Sequence, residues 1–216
     1  MDEGPSGVEN TIAALPTERP ALEIPLQDLS DEDLISRARE GEAAAFGEFV
    51  GRHMTAVHRW MTRAVGPEDA DDLTQDVFLR AYRGLARFRA QAPPRAWLAA
   101  IADNAIKNRY RSRSRFRRIF APESSPEGLE DRPSRDVSPE ESAGAGESSV
   151  TVQAALSKLP VEFRLPIVLR DLEEWSYEEI AISLAVPIGT VKSRIARGRG
   201  QLRTILAPLV ASQRNR

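Results

Sequence analysis

The chain has no cysteine and only two histidines among its 216 residues. Disulfides, a thiol nucleophile and any zinc site built on Cys ligands are therefore excluded. His53 and His58 stand five positions apart, about 140° around a helix of 3.6 residues per turn, so they cannot share a face as metal ligands. Aromatic residues are sparse at 6%, which leaves any core mostly aliphatic. No run approaches the ~18 consecutive apolar residues of a membrane span, and the N-terminus, MDEGPSGVENTIAALP, is acidic where a secretory leader is basic. The expectation is a cytoplasmic protein without membrane insertion. There is no phosphate-cradling Gly-rich loop and no loop-type calcium spacing. Glu68, Asp69, Asp71, Asp72 and Asp76 instead gather at the start of a helical pattern, where the macrodipole favours carboxylates. No catalytic group and no cofactor is expected.

What is present is charge, in alternation. The net of −2 splits into residues 1–33 with 9 acids and 1 base, 34–120 with 9 and 17, 121–150 with 8 and 2, and 151–216 with 6 and 10. Those blocks carry −8, +8, −6 and +4. Nucleic acid requires clustered positive charge, and the near-neutral total conceals two basic modules. Residues 1–30 read as an acidic, disordered extension, with Leu22, Ile24, Leu26 and Leu29 available to dock. Residues 119–150 are dominated by Pro, Gly, Ser and carboxylates and read as a flexible acidic linker.

Both basic blocks have helical periodicity and neither alternates as a strand, so the fold class is all-α, with two small helical domains over 31–118 and 151–212. Ser30 and Asp33 mark a helix start, and helices are predicted over about 31–40, 42–65, 67–88 and 95–114. Gly66-Pro67 separates the second from the third. Ala70, Leu73, Val77, Ala81, Leu85 and Phe88 form one buried stripe, and Asp72, Gln75, Asp76, Leu79 and Arg83 form a second that a core does not need. The fourth helix presents Asn104, Lys107, Asn108 and Arg111, with Trp97, Leu98, Ile101, Ala105 and Tyr110 inward. It runs into KNRYRSRSRFRR, seven bases over 107–118 with no acid. That run serves either as an unstructured basic arm or, beside exposed amides, as a single-strand binding track.

In the C-terminal block, Ser176 to Glu179 is a capping box. A turn at Val186-Pro187-Ile188-Gly189 leads to a last helix with Val191, Ile195, Leu202, Leu206 and Leu209 inward and Lys192, Ser193, Ala196, Arg197, Arg199 and Arg203 outward. A capped helix, a short turn and a basic helix make a helix-turn-helix, whose second helix reads the major groove. A solvated basic face is the alternative.

The run from Ala70 to Tyr82, ADDLTQDVFLRAY, resembles the core-polymerase-binding helix of bacterial extracytoplasmic-function sigma factors. Pro94 to Asn104, PRAWLAAIADN, is similar to their promoter-melting segment. Leu159-Pro160, the WSYEEIA run over 175–181 and PIGTVKSR over 187–194 resemble their region 4. The resemblance implies two domains that bind RNA polymerase core at the clamp coiled coil and the flap, with Asp72, Gln75, Asp76, Leu79 and Arg83 facing polymerase. It implies that Asn104 and Asn108, with Lys107, Arg111 and the loop Arg89 to Pro94, engage the −10 element. It further implies that Lys192, Ser193, Ala196 and Arg197 meet the −35 element while Thr190, Arg194 and Arg199 hold phosphates, and that an anti-sigma factor covers these surfaces. Ala196 is smaller than the side chain many members carry there, and Asp103 sets a negative charge beside Asn104. A stand-alone helix-turn-helix regulator is the alternative, as is an interaction module whose basic helices dock an acidic protein.

Overall fold

A computed structural model describes residues 24–89, 92–120 and 147–214, with side chains outside 117–120, 147–150 and 209–214. Its described residues form eight α-helices and no strand: α1 Asp31–Arg39, α2 Ala43–Val65, α3 Pro67–Gly84, α4 Pro94–Phe120, α5 Glu147–Ser157, α6 Val161–Ile167, α7 Tyr177–Leu184 and α8 Ile188–Arg214. Most of the extension and of the linker, the tip of the loop before α4 and the side chain of Leu209 lie outside the described residues.

Local chemistry sets the helix ends. Ser30 Oγ accepts the Asp33 backbone N–H and caps α1. Gly66 adopts φ 96°, a left-handed value that costs a residue with a Cβ, and so ends α2 and caps α3 in a single residue. Pro67 follows at the first helical position, where its missing N–H is no loss. The predicted stripe on α3 is buried throughout, and α2 contributes Phe49, Val57, Trp60, Met61 and Ala64 against it. The helix ends at Gly84, earlier than its periodicity suggests, because a 3-10 turn at Leu85–Arg87 swings Leu85 and Phe88 inward while the chain leaves the axis.

Three boundaries differ from the sequence reading. Residues 26–29 are not a loose tail: Arg52 donates to the carbonyls of Leu26, Gln27 and Leu29 at 3.0, 2.8 and 2.7 Å, and Leu29 is buried. One guanidinium on α2 thus gathers the backbone carbonyls of a turn that has no apolar period of its own. The basic run over 107–118 is helical rather than an unstructured arm, and α4 continues to Phe120. At the other end of the linker, α5 begins at Glu147.

In the C-terminal half α6 contains Pro166, which cannot donate to the ladder, and the chain passes directly into a π turn at Val168–Leu172. The capping box on α7 is complete: Ser176 accepts from the Glu179 N–H, and Glu179 accepts from the Ser176 N–H at 2.8 Å. The turn before α8 starts one residue earlier than predicted, with Ala185 at φ 50°, and Ile188 and Gly189 already belong to α8. Pro187 produces this shift by presenting its carbonyl to the Thr190 and Val191 N–H groups at 2.8 and 3.2 Å. The two halves pack on each other, α4 against α7 and α2 against α5 and α6, and their buried side chains form one continuous cluster.

Candidate polymerase and nucleic-acid interfaces

On α3 the surface stripe is where periodicity placed it. Asp72, Gln75, Leu79 and Arg83 are exposed, and Asp76 is half-buried in an i,i+4 pair with Arg80 at 2.8 Å. Two large apolar side chains stand in this polar strip, Leu79 at 54% and Tyr82 at 53% exposure. Tyr82 was not singled out from the sequence. Its ring leans on Phe46 with centroids 5.1 Å apart, so one face is supported and the other is free for contact.

On α4, Asn104, Asn108 and Arg111 are exposed, but Lys107 is not a free cation. It is half-buried and donates to Asp103, a carboxylate buried to 4% exposure. The acid beside Asn104 therefore faces away from solvent and neutralises a base one turn on. The i,i+4 spacing is the signal that identifies this pair. Arg109 and Arg113 are similarly committed: both close on buried Asp69 at the start of α3, at 2.6 and 2.7 Å. A carboxylate forty positions away has no sequence pattern linking it to them, yet it pins the basic half of α4 to the domain. Arg111, Arg115 and the 63% exposed Phe116 remain on the open side. Cations beside an exposed ring suit a single strand, whose unpaired bases stack while its phosphates pair.

On α8 the recognition face is open. Lys192, Ser193, Ala196, Arg197, Arg199 and Arg203 are exposed, and Thr190 and Arg194 are half-buried at its edge. Arg199 already has a partner, because Asp171 accepts from it through both oxygens and holds the guanidinium above its ordinary pKa. Lys192 lies 5.8 Å from the centre of the Tyr177 ring, over which Arg170 also sits at 4.8 Å. Lys192, Arg197 and Arg203 are exposed bases for which no carboxylate partner occurs among the described residues, and Ala196 beside Arg197 lets a base edge approach.

The capping box bears on this face because it sets the start of α7. Two hydrogen bonds from Ser176, with a smaller contribution from Arg95, hold the Glu179 carboxyl below the usual glutamate range. A lowered folded-state value makes the stabilisation present above the ordinary glutamate range and lost as pH falls through the lowered value. Glu179→Gln should therefore cost stability near neutral pH and nothing once the carboxyl is protonated in both states. Urea midpoints of both proteins across pH 3 to 7 check this, and a gap that persists at the acid end contradicts it.

His53 and His58 contact Asp31 and Asp71 at 2.6 and 2.9 Å, and no group of three or more potential metal ligands occurs among the described residues. No described helix is long and apolar enough to cross a membrane.

A family model described as Sigma-70 region 2 matches residues 49–116, and one described as Sigma-70, region 4 matches residues 149–202. The chain is 37% identical over 196 residues to the ECF RNA polymerase sigma factor SigE of Mycolicibacterium smegmatis, a match covering 84% of this chain and 74% of that protein. It is 32% identical over 192 residues to the ECF RNA polymerase sigma-E factor of Haemophilus influenzae, covering 85% and 99%. Two solved structures share the fold with a TM-score of 0.57. CnrH in complex with the cytosolic domain of CnrY is 27% identical and covers 82% of this chain and 97% of its own. The sigma factor RpoE in complex with the anti-sigma factor NepR from Bartonella quintana is 26% identical and covers 75% and 96%.

Proposed function

The chain belongs to the extracytoplasmic-function sigma factors of bacterial RNA polymerase, and from that premise we propose that it binds polymerase core through the α3 stripe, reads the −35 element with α8, and opens the −10 element with α4. The observation that carries the assignment of surfaces is the α3 stripe itself, where Leu79 and Tyr82 stand half exposed among polar side chains and outside the buried cluster. A stand-alone helix-turn-helix regulator gives that strip no purpose. The role is one of directing an enzyme rather than performing chemistry, in the cytoplasm where polymerase works. Asp72, Gln75, Asp76, Leu79 and Arg83 are assigned to the clamp coiled coil, with region 4 meeting the flap. Asn104, Asn108 and Arg111 are assigned to the −10 strand. Lys107 joins them only if DNA displaces it from Asp103. Thr190, Lys192, Ser193, Arg194, Ala196, Arg197 and Arg199 are assigned to the −35 duplex. Residues 31–118 and 151–212 are the two functional units, joined by the acidic linker. The RpoE relative is held by an anti-sigma factor, which supports such a partner for this chain. Run-off transcription with purified core tests the reading: a promoter-specific product that requires this chain supports it, and none from any mapped target sinks it.

The assignment divides labour between helices. Asn104→Ala should lower open-complex formation about tenfold while −35 engagement is kept, and Arg197→Ala should weaken −35 engagement about tenfold, each being the loss of one base-directed contact. Permanganate reactivity of the −10 strand and footprinting of the −35 duplex read the two steps separately. Equal loss of both steps in either variant refutes the division.

A further inference from the structure

The second half of α4 has little core beneath it. Ile106 is the last buried side chain of the helix among the described residues, and Tyr110, half-buried, is the last that packs on the buried cluster. Past Ile106 the helix carries Arg109, Arg111, Arg113 and Arg115 with no acid among them. Arg109 with Arg113, and Arg111 with Arg115, are like charges four positions apart, a spacing that destabilises an isolated helix. At 3.6 residues per turn Asn104, Asn108, Arg111 and Arg115 fall within about 60° of one another, whereas Arg109 and Arg113 lie about 140° and 180° around the axis from Asn104. The first four are exposed, and the other two are half-buried against a single carboxylate on α3. Arg113 closes on both oxygens of Asp69, Nη1 on Oδ2 at 2.7 Å and Nη2 on Oδ1 at 2.9 Å, and Arg109 Nη2 shares Oδ1 at 2.6 Å.

We propose that Asp69 is the positioning residue of the −10 helix: from behind, through Arg109 and Arg113, it holds in place the half of α4 that presents Asn108 and Arg111 to the unpaired strand. The macrodipole favours a carboxylate in the first turn of α3 wherever it points. It gives no reason for one that is 5% exposed and takes three guanidinium contacts. The cost of burying that charge is offset while both arginines stay paired, so the ion pairs fix how the basic half of α4 lies on α3. Arg109 Nε, buried without an acceptor among the described residues, shows how far that guanidinium is drawn in. Two functional side chains share this support, because Arg111 Nη1 donates to the Asn108 carbonyl oxygen at 3.3 Å and leaves the amide N–H groups to donate to a base. Asn104 is different: it stands between buried Asp103 and Ala105 and is placed by the core itself.

The inference rests on the sigma-factor reading for its consequence at the promoter, while its structural part is measured on the chain alone. There Asp69→Asn should speed amide hydrogen exchange over 107–116 about tenfold and leave 98–106 unchanged. In holoenzyme assembled with purified core, affinity for a single-stranded −10 oligonucleotide should fall about tenfold, the loss of the contacts that Asn108 and Arg111 make. Core affinity and −35 engagement should stay at wild-type values, which a general loss of stability would not allow. Arg111→Ala should cost severalfold in the wild type and nothing further beside Asp69→Asn, whereas Asn104→Ala should keep its full effect in both backgrounds. Asp69→Asn combined with Arg109→Gln and Arg113→Gln puts neutral hydrogen-bonding partners in place of the charges and should recover most of the binding. Arg113→Gln alone, at a half-buried position outside the buried cluster, should give a smaller loss of the same kind. Tighter oligonucleotide binding by Asp69→Asn, with a steeper salt dependence, would mean that Asp69 only withholds two arginines from DNA, and overturns the proposal. Unchanged exchange over 107–116, faster exchange that spreads over 98–106, additive losses in Asp69→Asn with Arg111→Ala, or a triple variant weaker than Asp69→Asn each overturns it too. Failure of promoter-directed transcription overturns the sigma-factor reading and leaves the exchange result standing.

Discussion

Leu79→Glu is expected to abolish core polymerase binding while leaving the fold intact. Leu79 is 54% exposed on α3 and takes no part in the buried cluster, whose α3 members are Ala70, Leu73, Val77, Phe78 and Ala81. The melting temperature should therefore move little, because Glu is as good a helix former as Leu and no buried contact is lost. Binding is different. An apolar side chain ringed by Asp72, Gln75, Asp76 and Arg83 is the arrangement of an interface anchor, whose truncation alone costs about 2 kcal/mol or more. A carboxylate at that position must in addition be desolvated, beside the acidic Asp72 and Asp76, against a partner that already complements them. A loss of at least about a hundredfold in core affinity follows, roughly 2.7 kcal/mol. Tyr82→Ala, on the same strip, should lose less, because part of its ring stays committed to Phe46. Fluorescence anisotropy of labelled chain against purified core measures both, with circular dichroism as the folding control. Normal core affinity in a folded Leu79→Glu would move the polymerase surface off α3 altogether.

What was legible in the sequence was whatever repeats along one helix or closes within four residues. The α3 stripe follows from spacings of three and four, and the Ser30 and Ser176 caps follow from a side-chain oxygen three residues before its N–H. The exposed faces of α4 and α8 follow by subtraction from their buried ones. What crosses between elements left no such trace. Asp69 with Arg109 and Arg113, and Arg59 with Glu173, join positions 40 to 114 apart, and each reads locally as one more charge on a solvated helix. Arg164 is the extreme case: a charged residue that sequence reasoning puts in water is fully buried, because three carbonyls and a tyrosine supply the hydrogen bonds that water would. The consequence for the site is specific. The bases that look most available over 107–118 are partly spent on structure, and the free ones are fewer than the count of seven suggests.

Two glycines of α8, two positions apart, should respond to substitution with opposite signs. A Cβ built at Gly198 lies 2.4 Å from Ile167 Cδ1 and 3.1 Å from Phe163 Cβ, both on α6 and both buried. The Ile167 tip can turn, but only into a filled core, and Phe163 Cβ is fixed to its backbone, so α6 and α8 must separate. Alanine at 198 gains about 1 kcal/mol of helix propensity and loses about 1–3 kcal/mol to overpacking. Valine gains less and adds two γ-carbons at the point of contact, so Gly198→Val should cost about 3 kcal/mol. At Gly200 a Cβ meets nothing within 4 Å and the position is exposed, so Gly200→Ala should stabilise by about 0.5–1 kcal/mol. Function follows the same division. Because α6 is the support behind the recognition helix, Gly198→Val should lose −35 binding even where the domain remains folded, since Lys192 and Arg197 are then displaced relative to α7 and the duplex. Gly200→Ala leaves that geometry unchanged. Thermal melts with −35 duplex titrations measure both quantities, and a Gly198→Val protein that melts and binds like Gly200→Ala would show that the close approach of α6 to α8 does not hold the recognition helix in place.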